Sequence, residues 1–282
     1  MDYRDSQRRI QTENKIKEYE QLGLFNDDVE EDPPYDTLDP KKIDLYNKKI
    51  FSKVKQFFSN RIARAYINRE IKKKVLIFDS KCDVQGMQNL IGVNGGAIVT
   101  LNHVHPYDHF LAYLAFRRQF GYFKFRLFKV IKESNYTYPG WIGVFMRNCN
   151  TIPVSETNIQ LNKHSFDAVQ YWLKRGKKIC IFAESSLWHH YKKPRPTKLG
   201  AFVLAAKNSV PVIPCFLTMS DSDLVGKDGL IVQKFKFHIM PVIYPDKSLS
   251  VKANSVYLQE QNAKAWQKCY EVEYEKPLEY EK

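Results

Sequence analysis

The chain has 282 residues, enough for one large domain or one domain with a smaller appendage. Its 44% apolar and 14% aromatic content can fill a sizeable core. The formal charge is +13 but uneven: residues 1–40 hold 5 basic and 12 acidic side chains, a net of −7, which leaves +20 on the rest. Such a body attracts anionic partners. No stretch approaches the roughly 18–20 apolar residues of a spanning helix, and residues 1–5 offer no apolar leader. An odd count of five cysteines without metal-type spacing argues against a secreted disulfide scaffold and for a reducing cytoplasm.

Residues 1–40 read as a polar, acidic lead with a helix over 11–22. A charge-rich break over 26–34 ends in Pro33-Pro34 and either wraps on the surface or stays mobile. In 41–74 the apolar side chains Ile43, Tyr46, Ile50, Phe51, Val54, Phe57, Phe58, Ile62, Tyr66 and Ile67 fall at helical spacing. The same stretch has 12 basic residues against Asp44 and Glu70, a net of +10. A cationic amphipathic helix of this kind reads as an interfacial membrane element. The alternative is a helix packed on its own domain with a solvated basic face.

Beyond Lys74 strand and helix patterns alternate. Strands are expected over 75–78, 97–101, 179–183, 210–216 and 231–242. Helices are expected from Pro106 through Ala115, over 165–174 with Gly176 closing, over 199–206 and over 251–274. Alternation of this kind predicts an α/β domain. Pro211 and Pro214 place the 210–216 strand at an edge or mark its ends. Cys180 and Cys215 lie in apolar runs and are expected in the core.

In open α/β sheets ligands gather beyond the carboxyl ends of the strands. One such end, Leu101, leads into Asn102-His103, with Asp108 close behind. A histidine titrating near neutrality is a natural general base, and a carboxylate can fix its tautomer and stabilise the imidazolium. A second end, Phe182-Ala183, leads into Glu184, Ser185 and Ser186, then Trp188, His189 and His190. Lys192, Lys193, Arg195 and Lys198 follow, just before a helix. Such a loop can hold an anion through side chains and a helix N-terminus, or can simply be a solvated basic loop. Ser185 and Ser186 lack the Gly-x-Ser-x-Gly elbow of hydrolases and read as loop or acceptor contacts. His103, His105, Asp108 and His109 fall short of a metal site, because no Cys or Glu block completes the set and Pro106 limits their convergence. No metal is expected. No recognition helix, phosphate loop or RNA-binding aromatic signature appears, so nucleic acid is not expected as a partner.

Four blocks, in order across about residues 75–245, resemble the glycerolipid acyltransferases typified by 1-acylglycerol-3-phosphate acyltransferase. Asn102, His103 and Asp108 match an Asn-His-x-x-x-x-Asp motif. Gly140 to Arg147, followed by 151–154, matches a loose Gly-x-x-Phe-x-x-Arg region. Residues 182–188 match Phe-Pro-Glu-Gly-Thr-Arg-Ser in degraded form, and 210–214 match a Val-Pro-Ile-Val-Pro strand. The stretches 192–200 and 277–280 are similar to a divergent bacterial branch.

The resemblance implies a mixed, largely parallel sheet flanked by helices, the glycerol-3-phosphate acyltransferase-like fold, with an N-terminal amphipathic helical segment. The implied organisation is a lead over 1–40, a basic helical segment over 41–74 and an acyltransferase domain over 75–282. The implied reaction moves a fatty acyl group from an acyl carrier protein or coenzyme A thioester to 1-acylglycerol-3-phosphate, giving phosphatidate, with His103 as general base, Asp108 orienting it and no cofactor. Glu184, Ser185, Ser186 and Arg147 are the implied substrate contacts. The Gly, Thr and Arg of the third motif are missing here, so Lys192, Lys193, Arg195 or Lys198 would meet the acceptor's phosphate instead. The implied setting is cytoplasmic, peripheral on the inner face of the cell membrane and in contact with anionic lipid. Another lyso-lipid acceptor, or a basic lipid-binding protein without catalysis, are the alternatives.

Overall fold

The computed structural model describes residues 6–31, 35–78, 83–121, 125–227 and 229–281. Its elements are α1 (Ser6–Gln21), α2 (Ile50–Lys72), β1 (Val84–Gln85), β2 (Ala97–Leu101), α3 (Asp108–Phe120), β3 (Leu127–Lys132), α4 (Glu133–Thr137), α5 (Gly140–Asn148), β4 (Thr151–Val154), α6 (Ile159–Lys174), β5 (Lys178–Phe182), α7 (Gly200–Lys207), β6 (Val212–Val225), β7 (Ile231–Ile239) and α8 (Val251–Tyr274). The strands form one seven-stranded sheet, ordered β1-β7-β6-β2-β5-β3-β4. Every neighbouring pair is parallel except β6 with β7. The α/β expectation, with a mixed and largely parallel sheet flanked by helices, therefore holds.

The central strand β2 is buried at every position. A parallel strand covered on both faces needs such a continuous apolar run. Val99 and Leu101 face a cluster containing Leu111, Ala115 and Phe116 of α3. Ile98 faces the other cluster, with Val169 and Trp172 of α6, Phe202 of α7 and Trp266 of α8. Each such side chain contributes roughly 1.5–3 kcal/mol on burial. The strand end is closed by Asn102, whose Oδ1 accepts from Leu217 N at 2.7 Å and whose Nδ2 donates to Leu217 O at 3.0 Å. His103 thus leaves the sheet from a fixed point.

Several expectations need correction. The basic segment is α-helical only from Ile50, after a single 3-10 turn at Pro40–Lys42, because the Asp44 carboxylate accepts from Lys48 N and Lys49 N and turns the chain first. The helix ends where Lys74 turns left-handed, at φ 57°, and Val75 N returns to Glu70 O. Residues 75–78 make an isolated bridge, Ile77 with Lys234, rather than a strand. The strand of 210–216 is neither short nor at an edge: β6 runs to Val225 between β2 and β7. Pro211 precedes it, and Pro214 sits just before the β7 ladder begins at Cys215, so its missing N–H costs little. Cys180 and Cys215 are buried and free, as are Cys149 and, less deeply, Cys269. Cys82 and Pro33-Pro34 lie outside the described residues.

The described part of the lead wraps onto the body. Ile16 and Val29 join Trp188 and Tyr191 in a small apolar cluster of their own. On α2, Ala63 and Ile67 are buried, yet Ile50 is 80% and Phe58 58% exposed, and Phe51, Val54, Phe57 and Ile62 are exposed as well. A helix packed on its own domain accounts for the first pair and not for the rest.

Gly96 sets the entry to β2. A Cβ there would lie 2.2 Å from the Leu173 carbonyl oxygen at the end of α6, whereas one at Gly95 would meet nothing within 4 Å. Gly96→Ala is expected to lose about 1–3 kcal/mol in urea unfolding through overpacking, and Gly95→Ala to change by no more than about 0.5 kcal/mol.

Candidate active site

His103 and Asp108 meet at the carboxyl end of β2. His103 Nδ1 lies 2.7 Å from Asp108 Oδ2, with the carboxylate fully buried and the imidazole about one-fifth exposed. The His103 ring stacks on Phe182, the last residue of β5, with centroids 3.8 Å apart. Val104 N and His105 N also donate to Asp108 Oδ2, at 3.2 and 3.4 Å, and His109 N donates to Oδ1 at 2.7 Å. Asp108 is therefore held by the turn it begins, and it holds His103 from one side.

Glu184 clamps the same turn from the second strand end. Its Oε2 accepts from His103 N at 3.1 Å and from Arg195 Nη2 at 2.9 Å; its Oε1 accepts from Arg195 N at 2.8 Å. Arg195 also donates to Ser186 Oγ and O, at 2.7 and 2.6 Å, and to Phe25 O of the lead at 2.8 Å. Its guanidinium lies over Trp188, 4.5 Å from the ring centroid. Both side chains of the Glu184–Arg195 pair are 1% exposed. Backbone bonds from Trp188 N to His103 O and from His190 N to Val104 O, each 3.0 Å, zip the two loops together. Ser185 stands at φ 67°, a left-handed conformation that favours glycine, at the position where the resembling motif has glycine.

The other candidate residues scatter. Ser185 Oγ donates to Asn26 O at 3.4 Å. Lys193 is paired with Glu20 of α1 at 2.6 Å. Lys192 is exposed, near the Tyr274 ring, and Lys198 is exposed while its backbone N–H donates to Ala183 O at 2.7 Å. Arg147 lies apart on α5, donating to the carbonyls of Tyr136 and Tyr138 at 3.2 Å each, in an open cleft it shares with Leu38, Asp39 and Asp44. The loop cations expected to meet a substrate phosphate are thus largely engaged inside the protein: Arg195 by Glu184 and Lys193 by Glu20. The backbone N–H groups of His103, Val104, His105 and His109, just beyond the strand end, are likewise engaged, by Glu184 and Asp108. The sequence reading missed Lys132, which ends β3 on the same rim and is ion-paired with Asp28 of the lead. A lysine closing the run Leu127–Lys132 was its only signal.

The neighbouring histidines are held neutral. Burial, reinforced by the other histidines, keeps His105 well below the usual range. Burial and the Lys129 ammonium do the same for His109. Burial pushes His189 down, and lowers His190 to about 3. Among the described residues no group of three or more His, Cys, Asp and Glu is placed to hold a metal ion.

Removing one partner of a buried ion pair leaves the other charge unsatisfied. Arg195→Met is expected to lower unfolding stability by about 3–5 kcal/mol, and adding Glu184→Gln to it to recover part of that loss. Urea denaturation of both singles and the double measures the coupling; additive losses would mean that the pair does not act as a unit.

Residues 81–218 match the family model described as Acyltransferase. No curated protein matches the chain. The matched span begins just before β1 and ends within β6. It contains the His103–Asp108 contact, the Glu184–Arg195 pair and the strands that carry them. By this match and this geometry residues 81–218 are a domain of the glycerolipid acyltransferase family, and the protein is an acyltransferase.

Proposed function

We propose that the protein transfers a fatty acyl group from an acyl carrier protein or coenzyme A thioester to the hydroxyl of a lysophospholipid, 1-acylglycerol-3-phosphate, giving phosphatidate. The observation that carries this reading is the 2.7 Å contact between His103 Nδ1 and the buried Asp108 carboxylate. With Nδ1 directed to Asp108, Nε2 is the ring nitrogen that takes the proton of the attacking hydroxyl. The hydroxyl oxygen forms the new ester bond to the thioester carbonyl carbon as its proton passes to His103. Collapse of the tetrahedral intermediate breaks the carbon–sulfur bond, and the proton leaves with the thiol. Asp108 stabilises the imidazolium between these steps. No residue needs to be acylated, which suits Ser185 and Ser186 as loop residues. Glu184 works through position: it fixes the His103 backbone and the loop from Ser185 to Arg195.

The acceptor is a lipid, and α2 gives the protein a way to reach it. Its exposed face carries Ile50, Phe51, Val54, Phe57, Phe58 and Ile62, flanked by Lys49, Lys53, Lys55 and Arg61. Trp141 and Val144 of α5 are exposed next to it, with Trp141 5.8 Å from the Tyr66 ring of α2. Apolar side chains ringed by lysines suit an anionic bilayer surface, the apolar face entering the headgroup boundary and the cations meeting lipid phosphates. In a cell this corresponds to the cytoplasmic leaflet.

Purified protein supplied with acyl carrier protein or coenzyme A thioesters and 1-acylglycerol-3-phosphate is expected to release free thiol and form phosphatidate. His103→Ala is expected to lower the rate by about 10²–10⁴. A mutant as active as wild type would sink the mechanism, and turnover with another lyso-lipid alone would sink the acceptor. Vesicle flotation tests the surface: binding is expected with phosphatidylglycerol vesicles and lost when Phe51, Phe57 and Phe58 are replaced by serine. Unchanged flotation of that variant would place the membrane contact elsewhere.

A further inference from the structure

A second polar cleft lies beside the His103–Asp108 pair, between α2, α3 and β3; it is a small cavity of about 20 Å³ whose mouth opens to solvent. Its polar walls are Asn60 and Arg64 of α2, His109 of α3, Lys129 of β3 and Asn150 before β4. The Lys129 side chain is unusual. The residue is 7% exposed, it sits inside a strand, and its ammonium has no hydrogen-bond acceptor among the described residues. It lies over the Phe110 ring, 5.4 Å from the centroid. Burial lowers its pKa, and no carboxylate offsets that burial on the cleft wall. Arg64 points to the same cleft, also without a hydrogen bond or ion pair among the described residues. The contrast with Lys178 is direct: that buried lysine of β5 donates to the carbonyls of Val93 and Gly95. Asn150 adds a buried acceptor, since its Oδ1 has no partner while its Nδ2 donates to Asn60 Oδ1 at 3.3 Å.

We infer that this cleft binds a phosphate-class oxyanion, held by the Lys129 and Arg64 cations. The argument is one of charge and donors. The Lys129 ammonium, on a mostly buried side chain, opens onto the cleft with no protein acceptor among the described residues, so it is free to meet an oxyanion there, and the Arg64 guanidinium supplies the planar donors that phosphate oxygens accept. The cleft is one residue from the proposed chemistry: His109 on its wall follows Asp108, and Lys129 pairs in register with Cys180, two residues before the Phe182 ring that stacks on His103. Lys193 and Arg195, by contrast, are bound to Glu20 and Glu184. The cleft therefore offers cations for an acceptor phosphate in place of Lys193 and Arg195, an assignment of ligand that rests on the proposed reaction; the oxyanion site itself does not rest on it.

The test uses the full chain. Isothermal titration with inorganic phosphate and with glycerol 3-phosphate, at fixed ionic strength with chloride as control, compares wild type with Lys129→Met and Arg64→Gln. Saturable binding by wild type, weakened tenfold or more in both variants, is the expected result. Thermal melts guard against misfolding, since a methionine at position 129 preserves volume without the charge. Absence of phosphate binding in wild type, or equal binding in folded variants, overturns the site. The KM for 1-acylglycerol-3-phosphate separates the sources: a tenfold rise in Arg64→Gln supports the lipid headgroup as ligand, whereas phosphate binding that weakens with an unchanged KM supports free phosphate and overturns the headgroup assignment. Phosphate binding lost in the variants of a protein that turns over no lyso-lipid would uphold the site and defeat the proposed reaction.

Discussion

One carboxylate, Glu184, joins three parts of this molecule that are far apart in sequence. It accepts from the His103 backbone beyond β2, from Arg195 at the far end of its own loop and, through that arginine, it reaches the carbonyl of Phe25 in the lead. A charge this deeply buried is tolerated only with its lone pairs occupied, and these bonds occupy them. The result is geometric: the loop from Ser185 to Arg195 has one position relative to His103. Two left-handed residues in that loop, Ser185 and His190, store strain that the surrounding bonds over-determine. An arginine seven residues beyond the degraded motif thus stiffens the loop from inside rather than facing outward.

The charge asymmetry along the chain takes on a structural meaning in the same region. The acidic lead packs on the basic body with Glu20 on Lys193 and Asp28 on Lys132, while Tyr19 and Phe25 pack against Trp188. Trp188 is fully buried and donates its indole N–H to Asp27 O at 3.0 Å. Composition shows a segment of −7 beside a body of +20; it does not show which lysines are neutralised. Cations left facing solvent or a cleft include those on α2, Lys192, Lys198 and Lys129, and also Lys163, Lys174, Lys207, Lys247, Lys252, Lys264 and Lys268.

Legibility in the sequence followed the kind of force at work. The bounds of β2 and α8 match the expected ones residue for residue, because a continuous apolar run and a Ser250 cap, whose side chain accepts from Ala253 N, are local signals. The strands β3 and β4 were not recognised as such. Lys129 and Lys132 interrupt the apolar pattern of β3, and β4 is four residues long with a proline inside. The outer half of β6 alternates in exposure and exists through its antiparallel pairing with β7, a tertiary effect. At the site, His103 and Asp108 are five residues apart and were readable as a pair. Arg195 and Glu184 were both visible, but their mutual contact was not, since it depends on how the loop folds back.

The placement of α2 ties these points together. Its small buried side, with Ala63 and Ile67, lets it lie close to the domain, and its aromatic side faces away. Asn60 and Arg64, on the flank between those two sides, line the cleft that contains Lys129. One helix thus presents apolar side chains outward and polar ones inward, beside the residue that follows Asp108. Lys129 therefore faces the polar flank of this helix across a small cleft, which is where a lysine inside a strand can keep its charge near water.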